Sequence, residues 1–316
     1  MLFTSKMGLE KGTGLWVVNM EEAPQMLAQL PGEISQPKWN SEGNSIYFIS
    51  GVGETDPDVK IIDKIPIWFN GEGWTYHKSK KLHSYDVRSG EVSVISEEEM
   101  DIQCFAASNN GKKIAYCQSA NPLRPGESNL VIHDVDSHVN EVMLNGYMIQ
   151  SLVWSPDDKQ IGFMSHDRSR GYPTHVGVHI FEAEGGPVKN LTGKLDRECS
   201  RRHYYYLRSM NAGTPEPVWE KDFIYFPVSD SDRYELFKID TSSLAITKIL
   251  EGQFSLEEYS VRNGVVAYTR VNTDKPAELW VWNGKQRQLT QHNMESLNDI
   301  KLQTAERFSF TQREGA

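Results

Sequence analysis

Ser151-Leu152-Val153-Trp154-Ser155-Pro156-Asp157-Asp158-Lys159-Gln160-Ile161-Gly162-Phe163-Met164-Ser165 reads as a strand, a tight polar turn and a second strand. The same phrase stands at Gln36-Pro37-Lys38-Trp39-Asn40-Ser41-Glu42-Gly43-Asn44-Ser45-Ile46-Tyr47-Phe48-Ile49-Ser50. Pro217-Val218-Trp219-Glu220-Lys221-Asp222-Phe223-Ile224-Tyr225-Phe226 is a shorter copy. Two degenerate copies lack the tryptophan, one from Phe105 to Tyr116 and one from Tyr259 to Tyr268. Self-similarity of this kind decides the fold before any single residue does.

A second strand–turn–strand phrase interleaves with the first. Its copies start at Leu15, Leu82, Leu130, Val178, Leu236 and Leu279. Two hairpins per step make a four-stranded antiparallel sheet of roughly 40–50 residues, the unit of a β-propeller blade. A lone sheet of that size cannot bury both faces; stacked sheets bury face against face and leave short edges. The sequence therefore predicts an all-β protein, a β-propeller of four-stranded antiparallel blades. Six blade repeats are traceable and seven blades are expected. The approximate blades are 1–30, 31–97, 100–146, 148–194, 212–251 and 254–291, with closing strands over 296–312. Each repeated Trp is expected at the head of an inner strand, wedged between blades. Met1–Lys6 reads as the second strand of an inner hairpin. Helical signal is confined to Ser96–Met100 and Met294–Leu297.

The bulk properties narrow the function classes. With 316 residues, 38% hydrophobic and rich in Trp, Tyr and Phe, the chain can fill a large core as one domain. A net charge of −10 opposes nucleic acid and anionic membrane surfaces as partners. No apolar stretch is long enough to cross a bilayer, and no basic-then-apolar leader precedes the first strand, so a cytoplasmic protein is expected. Cys104, Cys117 and Cys199 are too few for a disulfide framework. Cys104 and Cys117 fall on the two arms of one inner hairpin and read as small buried hydrophobes.

Chemistry-bearing motifs are scarce. No Gly-x-Ser-x-Gly occurs, so the chain has no nucleophile elbow. Phosphate loops, dinucleotide fingerprints and paired Cys-x-x-Cys are missing too, and no cofactor or metal is expected. His175 and His179 would chelate on a helix. Val176-Gly177-Val178 argues for a strand instead, where four residues span roughly 13 Å. His133, Asp134, Asp136 and His138 read as a solvated hairpin tip, and Asp157-Asp158 as turn residues.

Insertions break the rhythm, and insertions on such scaffolds commonly carry binding. The first, from Gly51 to Lys81, contains Ile65-Pro66-Ile67-Trp68-Phe69-Asn70-Gly71-Glu72-Gly73-Trp74. Its apolar residues are too many for a free solvent loop. Gly71 and Gly73 would permit a tight reversal that turns Glu72 outward. The second is the Pro/Gly turn Asn121–Ser128. The third, Leu195 to Pro215, sets Arg197, Arg201, Arg202 and Arg208 beside Tyr204-Tyr205-Tyr206. Arginines so placed either pin the loop by salt bridges or hold a carboxylate bidentately. Trp68, Phe69, Glu72, Trp74, Arg201, Arg202 and Tyr205 are the candidate residues facing a substrate or partner. None is a catalytic candidate.

The inner hairpins of Trp-Ser-Pro-Asp type, the ending Gly185-Gly186-Pro187-Val188-Lys189-Asn190-Leu191-Thr192 and above all Ile65–Trp74 resemble the N-terminal propeller of prolyl oligopeptidase-family serine peptidases. The acylaminoacyl-peptidase branch is the nearest. Leu289–Glu295 and Ala305–Thr311 resemble the crossing into that family's α/β-hydrolase domain. The resemblance covers essentially the whole chain. It implies seven blades, a hydrolase domain in cis or in trans as partner, and gated access for short or blocked peptides. The family's Ser, Asp and His lie in the hydrolase domain, and no counterpart occurs between Met1 and Ala316. An excised domain, a split gene and a homologue that lost its catalytic half each fit that departure. Homo-oligomers fit as well. The rival reading is a stand-alone propeller that scaffolds protein–protein contacts.

Overall fold

The computed structural model describes residues 1–19, 21–53, 58–59, 68–69, 73–74, 79–96, 100–121, 126–171, 173–200, 215–306, 308 and 310. The chain is all-β, and every described register is antiparallel. Two compact units divide it: Met1–Thr174 with Val178–Asn190, and His175–Gly177 with Leu191–Ala316.

In the first unit, β1 (Leu2–Ser5), β2 (Thr13–Val17) and β3 (Gln25–Leu30) form a three-stranded sheet. β1 pairs with β2 as the second strand of an inner hairpin would. Next, β4 (Ile34–Trp39) and β5 (Ser45–Val52) begin a four-stranded sheet. The short strands β6 (Trp68–Phe69) and β7 (Gly73–Trp74) interrupt it, and β8 (Ser79–Asp86) and β9 (Val92–Val94) complete it. Then come β10 (Ile102–Ala107), β11 (Lys113–Ser119), β12 (Ser128–Asp134), β13 (Asn140–Trp154), β14 (Gln160–His166), β15 (Gly177–Glu182) and β16 (Lys189–Asn190), joined as seven strands. That sheet is two blades sharing one long strand. Residues 140–147 of β13 pair with β12, and residues 148–154 pair with β14.

The second unit holds two four-stranded sheets. They are β17 (Val218–Glu220), β18 (Phe223–Asp230), β19 (Arg233–Asp240) and β20 (Ile246–Lys248), then β21 (Ser255–Arg262), β22 (Val265–Val271), β23 (Glu278–Trp282) and β24 (Gln286–Gln288). Helix α1 (Met294–Leu297) follows. Residues 298–306, 308 and 310 carry no strand, where the sequence led us to expect closing strands over 296–312. The other short helix expected, Ser96–Met100, falls largely outside the described residues.

Alternation along each strand feeds two cores. On β5, Ile46 and Phe48 join Leu15, Leu30 and Ile34, while Tyr47 and Ile49 join Ile102, Phe105 and Tyr116 on the other side. A period of two in which both parities are apolar is what a sheet covered on both faces requires.

The repeated tryptophans depart from expectation. None opens its inner strand: Trp39 and Trp154 are the last residues of β4 and β13, and Trp219 is the middle residue of β17. Only Trp154 is a wedge. It is 4% exposed and packs among Cys104, Ala106, Ala115 and Cys117, small residues that leave room for an indole. Its Nε1 donates to the Ala106 carbonyl at 2.9 Å. Trp39 is 38% exposed, and the Trp219 Nε1 donates to the Lys221 carbonyl within its own hairpin. Cys104 and Cys117 face each other across β10 and β11, both buried, and burial pushes the Cys117 thiol up.

Other inner-strand side chains also reach a neighbouring blade. Gln36 Nε2 and Lys38 Nζ donate to the carbonyls of Gln103 and Phe105, at 3.1 and 3.2 Å. The Asp158 carboxylate accepts the backbone N–H groups of Asn109 and Asn110 at 2.7 and 2.8 Å. Glu220 does the same for Asn263 and Gly264, and the Tyr259 hydroxyl donates to the Tyr225 carbonyl at 3.0 Å. Outer hairpins close on a repeated aspartate. Asp86 accepts from Ser89 N, Asp134 from Ser137 N and Asp240 from Ser243 N. These bonds hold the three carboxyls below the usual range, Asp240 at about 2.

Candidate functional site

The aromatic insertion leaves the β5–β8 hairpin between Val52 and Ser79, at the end opposite the Asn40–Ser45 turn. Within it β6 and β7 pair as a miniature hairpin, Trp68 opposite Trp74 and Phe69 opposite Gly73. The strands that flank the reversal expected around Gly71 are therefore paired. Asn70, Gly71 and Glu72 themselves lie outside the described residues.

Other connections emerge at this same end of their blades. The Asp101 carboxylate accepts the Lys80 N–H at 2.7 Å, and its carbonyl accepts the Ser119 N–H at 2.9 Å. That ties the insertion's exit to the neighbouring blade. The β11–β12 connection is held by Ala120 N to Glu127 O at 2.7 Å. Glu127 in turn meets Arg168 of the β14–β15 connection at 3.4 Å. Beside them Gln103 binds two other strands of its blade: Nε2 donates to Ser119 Oγ at 3.4 Å, and Oε1 accepts from Ser128 Oγ at 2.6 Å. The entry of the insertion is equally tight. A Cβ on Gly32 would stand 2.2 Å from the Gly51 carbonyl oxygen, so the 31–33 connection runs directly over the end of β5. The result is a hydrogen-bonded polar platform at the entry and exit of the insertion.

Buried histidines of this unit include His83, His133 and His179. His83 on β8 stacks on Phe48 at 5.3 Å, and burial pushes its imidazole pKa down. His179 on β15 stacks on Phe163 at 5.3 Å, with its Nδ1 3.2 Å from Ser165 Oγ. His133, expected at a solvated hairpin tip, is instead buried, with its Nδ1 2.9 Å from Asn140 Oδ1. Among the described residues no three His, Cys, Asp or Glu side chains gather as a metal site would require.

The arginine-rich insertion belongs to the second unit. Its base is pinned: Arg197 Nε donates to Asp230 at 2.9 Å, and Glu198 bridges Ser229 by backbone pairing. The Glu198 carboxylate accepts Val176 N at 3.2 Å and the Ser200 hydroxyl. At Arg197 the salt-bridge alternative thus holds. Arg201, Arg202 and Tyr205 lie outside the described residues. The structural roles of Asp158 and Glu220 escaped sequence reading. The polar turns they cap, Asn109-Asn110-Gly111 and Asn263-Gly264, were the available signal.

No family model matches the sequence, and no curated protein matches it. Solved structures do match its fold. Uncomplexed acylaminoacyl peptidase of Pyrococcus horikoshii superposes with a TM-score of 0.72 at 16% identity, over 95% of this chain and 45% of that one. The β-propeller domain of the Trilobed protease from Pyrococcus furiosus gives 0.63 at 16%, over 92% and 78%. TolB from Acinetobacter baumannii gives 0.54 at 15%, over 85% and 56%. The likeness is one of fold: a β-propeller with antiparallel four-stranded blades. The chain spans less than half the length of the acylaminoacyl peptidase it matches. No described helix is long and apolar enough to cross a membrane.

Proposed function

We propose that this chain is the substrate-gating propeller of an acylaminoacyl-peptidase-like serine peptidase. In this reading it works with an α/β-hydrolase domain that supplies Ser, Asp and His. One observation supports it most: the chain matches the fold of Pyrococcus horikoshii acylaminoacyl peptidase over 95% of its own length but 45% of that chain. That is the share a propeller half would take. The resemblance of Ile65–Trp74 to the family's propeller adds to it. In this reading the propeller has seven blades and works in the cytoplasm, in keeping with three unpaired cysteines. Trp68, Phe69, Glu72 and Trp74 face the hydrolase or the peptide, with Arg201, Arg202 and Tyr205 as a second contact.

Gating needs no catalytic group in this chain. A propeller beside the active site excludes long or folded chains and admits short blocked peptides. It thereby adds selectivity through access rather than through transition-state stabilisation. The test is sedimentation of the chain with the α/β-hydrolase encoded in frame with it or beside it. A defined complex, weakened by Trp68→Ala and Glu72→Ala, is the expected result. Absence of any such hydrolase, or no association, would instead favour the stand-alone scaffold.

A further inference from the structure

A cavity of about 200 Å³ lies in the β21–β24 sheet, lined by Arg270, Lys275, Phe254, Trp280, Gln253 and Asn272 among others. We infer that it is a binding site for a small organic monocarboxylate, with Arg270 as the carboxylate's fork and Trp280 and Phe254 as the walls for its apolar body.

The guanidinium lies over two aromatic rings. Its Cζ lies 3.3 Å from the centroid of the Trp280 ring and 4.7 Å from that of Phe254. The fork is thus immobilised before any ligand arrives, which cuts the ordering cost of binding. Arg270 has a carboxylate opposite it in register, Glu278, yet the two form no ion pair. Glu278 is fully engaged elsewhere. Its Oε2 accepts from Thr290 Oγ1 at 2.5 Å and His292 N at 3.1 Å. Its Oε1 accepts from Asn293 N at 2.9 Å and Asn293 Nδ2 at 3.0 Å. The other polar neighbours of Arg270 are neutral: Nη1 donates to Gln286 Oε1 at 3.3 Å, an acceptor shared with the Tyr268 hydroxyl, and the Tyr268 oxygen itself faces the guanidinium. A half-buried guanidinium with no carboxylate partner among the described residues is an unbalanced charge, and burial lowers its pKa accordingly.

The cavity answers that imbalance. Lys275 adds a second positive charge at its mouth, and Glu278 is the one acidic side chain of the lining, so the lining is net positive by one. This occurs in a chain of net charge −10, which makes the spot distinctive. A planar fork matches a carboxylate bidentately, while the two rings offer apolar contact rather than further donors. The volume lies below that of a typical drug-sized site and suits a small acid or the end of a longer one. Gly252, at φ +145°, lets the backbone approach the Phe254 wall: a Cβ there would stand 2.6 Å from that ring.

The test is calorimetric titration of the full chain with benzoate, with its neutral isostere benzamide and with inorganic phosphate. Benzoate is expected to bind in the millimolar range or tighter, at least about tenfold more tightly than benzamide or phosphate. Arg270→Lys keeps the charge but loses the fork and the stack, and should weaken benzoate about tenfold. Lys275→Ala, at an exposed position that does not threaten folding, should weaken it about threefold. Equal affinity for benzamide would overturn the inference. So would phosphate binding as well as benzoate, no benzoate binding at about 10 mM, or a folded Arg270→Lys variant that binds unchanged. If that variant unfolds, the benzoate–benzamide contrast and Lys275→Ala still decide the matter.

Discussion

Trp154 shows how much one residue contributes when its surroundings are built for it. Four small side chains make its slot and the Ala106 carbonyl takes its N–H. Trp154→Ala therefore removes a large buried ring and leaves a carbonyl unpaired. We expect a loss of about 3–5 kcal/mol in chemical denaturation. Trp39→Ala, at an indole 38% exposed, should cost under about 1 kcal/mol. Equal losses would show that the repeated tryptophan has one role after all. The sequence made the three tryptophans look equivalent because the hairpin phrase around them is the same. What separates them is the neighbouring blade, small residues for Trp154 and open surface for Trp39, and no local pattern reports that. Asp240 is a second residue-scale test. Its folded pKa of about 2 lies below the ordinary 3.8, held there by Ser243 N and the Ser242 hydroxyl. Its stabilising contribution is complete above pH 3.8 and is lost as pH falls toward 2. Carboxyl NMR titration should place Asp240 near 2; a midpoint at or above 3.8 would remove the capped-turn account.

At the scale of elements, the strands were legible because their apolar positions recur with period two on both parities. All six outer hairpins expected from Leu15, Leu82, Leu130, Val178, Leu236 and Leu279 are present. The merger of two blades through β13 was not legible, because Asn145-Gly146 looks like a break. In the structure Gly146, at φ +81°, lies within the continuous strand. The β6–β7 pair was legible as a tight reversal. The platform beneath it was not, because Asp101, Gln103 and Glu127 are ordinary polar residues until distant strands bring them together. That platform predicts a sharp position effect. Gly32→Ala must displace the backbone carbonyl of Gly51, so it should cost on the order of 1–3 kcal/mol. Gly43→Ala meets no atom within 4 Å, and its φ of +71° leaves backbone strain alone, so about 1 kcal/mol is expected. If Gly32→Ala costs no more than Gly43→Ala, the 31–33 connection does not bear on the root of the insertion.

For the whole molecule, the blades are joined by side chains that reach a neighbour's backbone: Trp154, Gln36, Lys38 and Asp158 in one unit, Tyr259 and Glu220 in the other. In the proposed reading such a body controls access, and the aromatic insertion is its point of contact. The most direct measurement is kcat/KM for acylated peptides of increasing length, using the associated α/β-hydrolase with and without this chain. The account predicts that the propeller leaves the shortest blocked peptide turned over and lowers kcat/KM for longer ones by about tenfold or more, while the propeller alone hydrolyses none. A length profile unchanged by the propeller, or fluorophosphonate-sensitive hydrolysis by this chain alone, would contradict it.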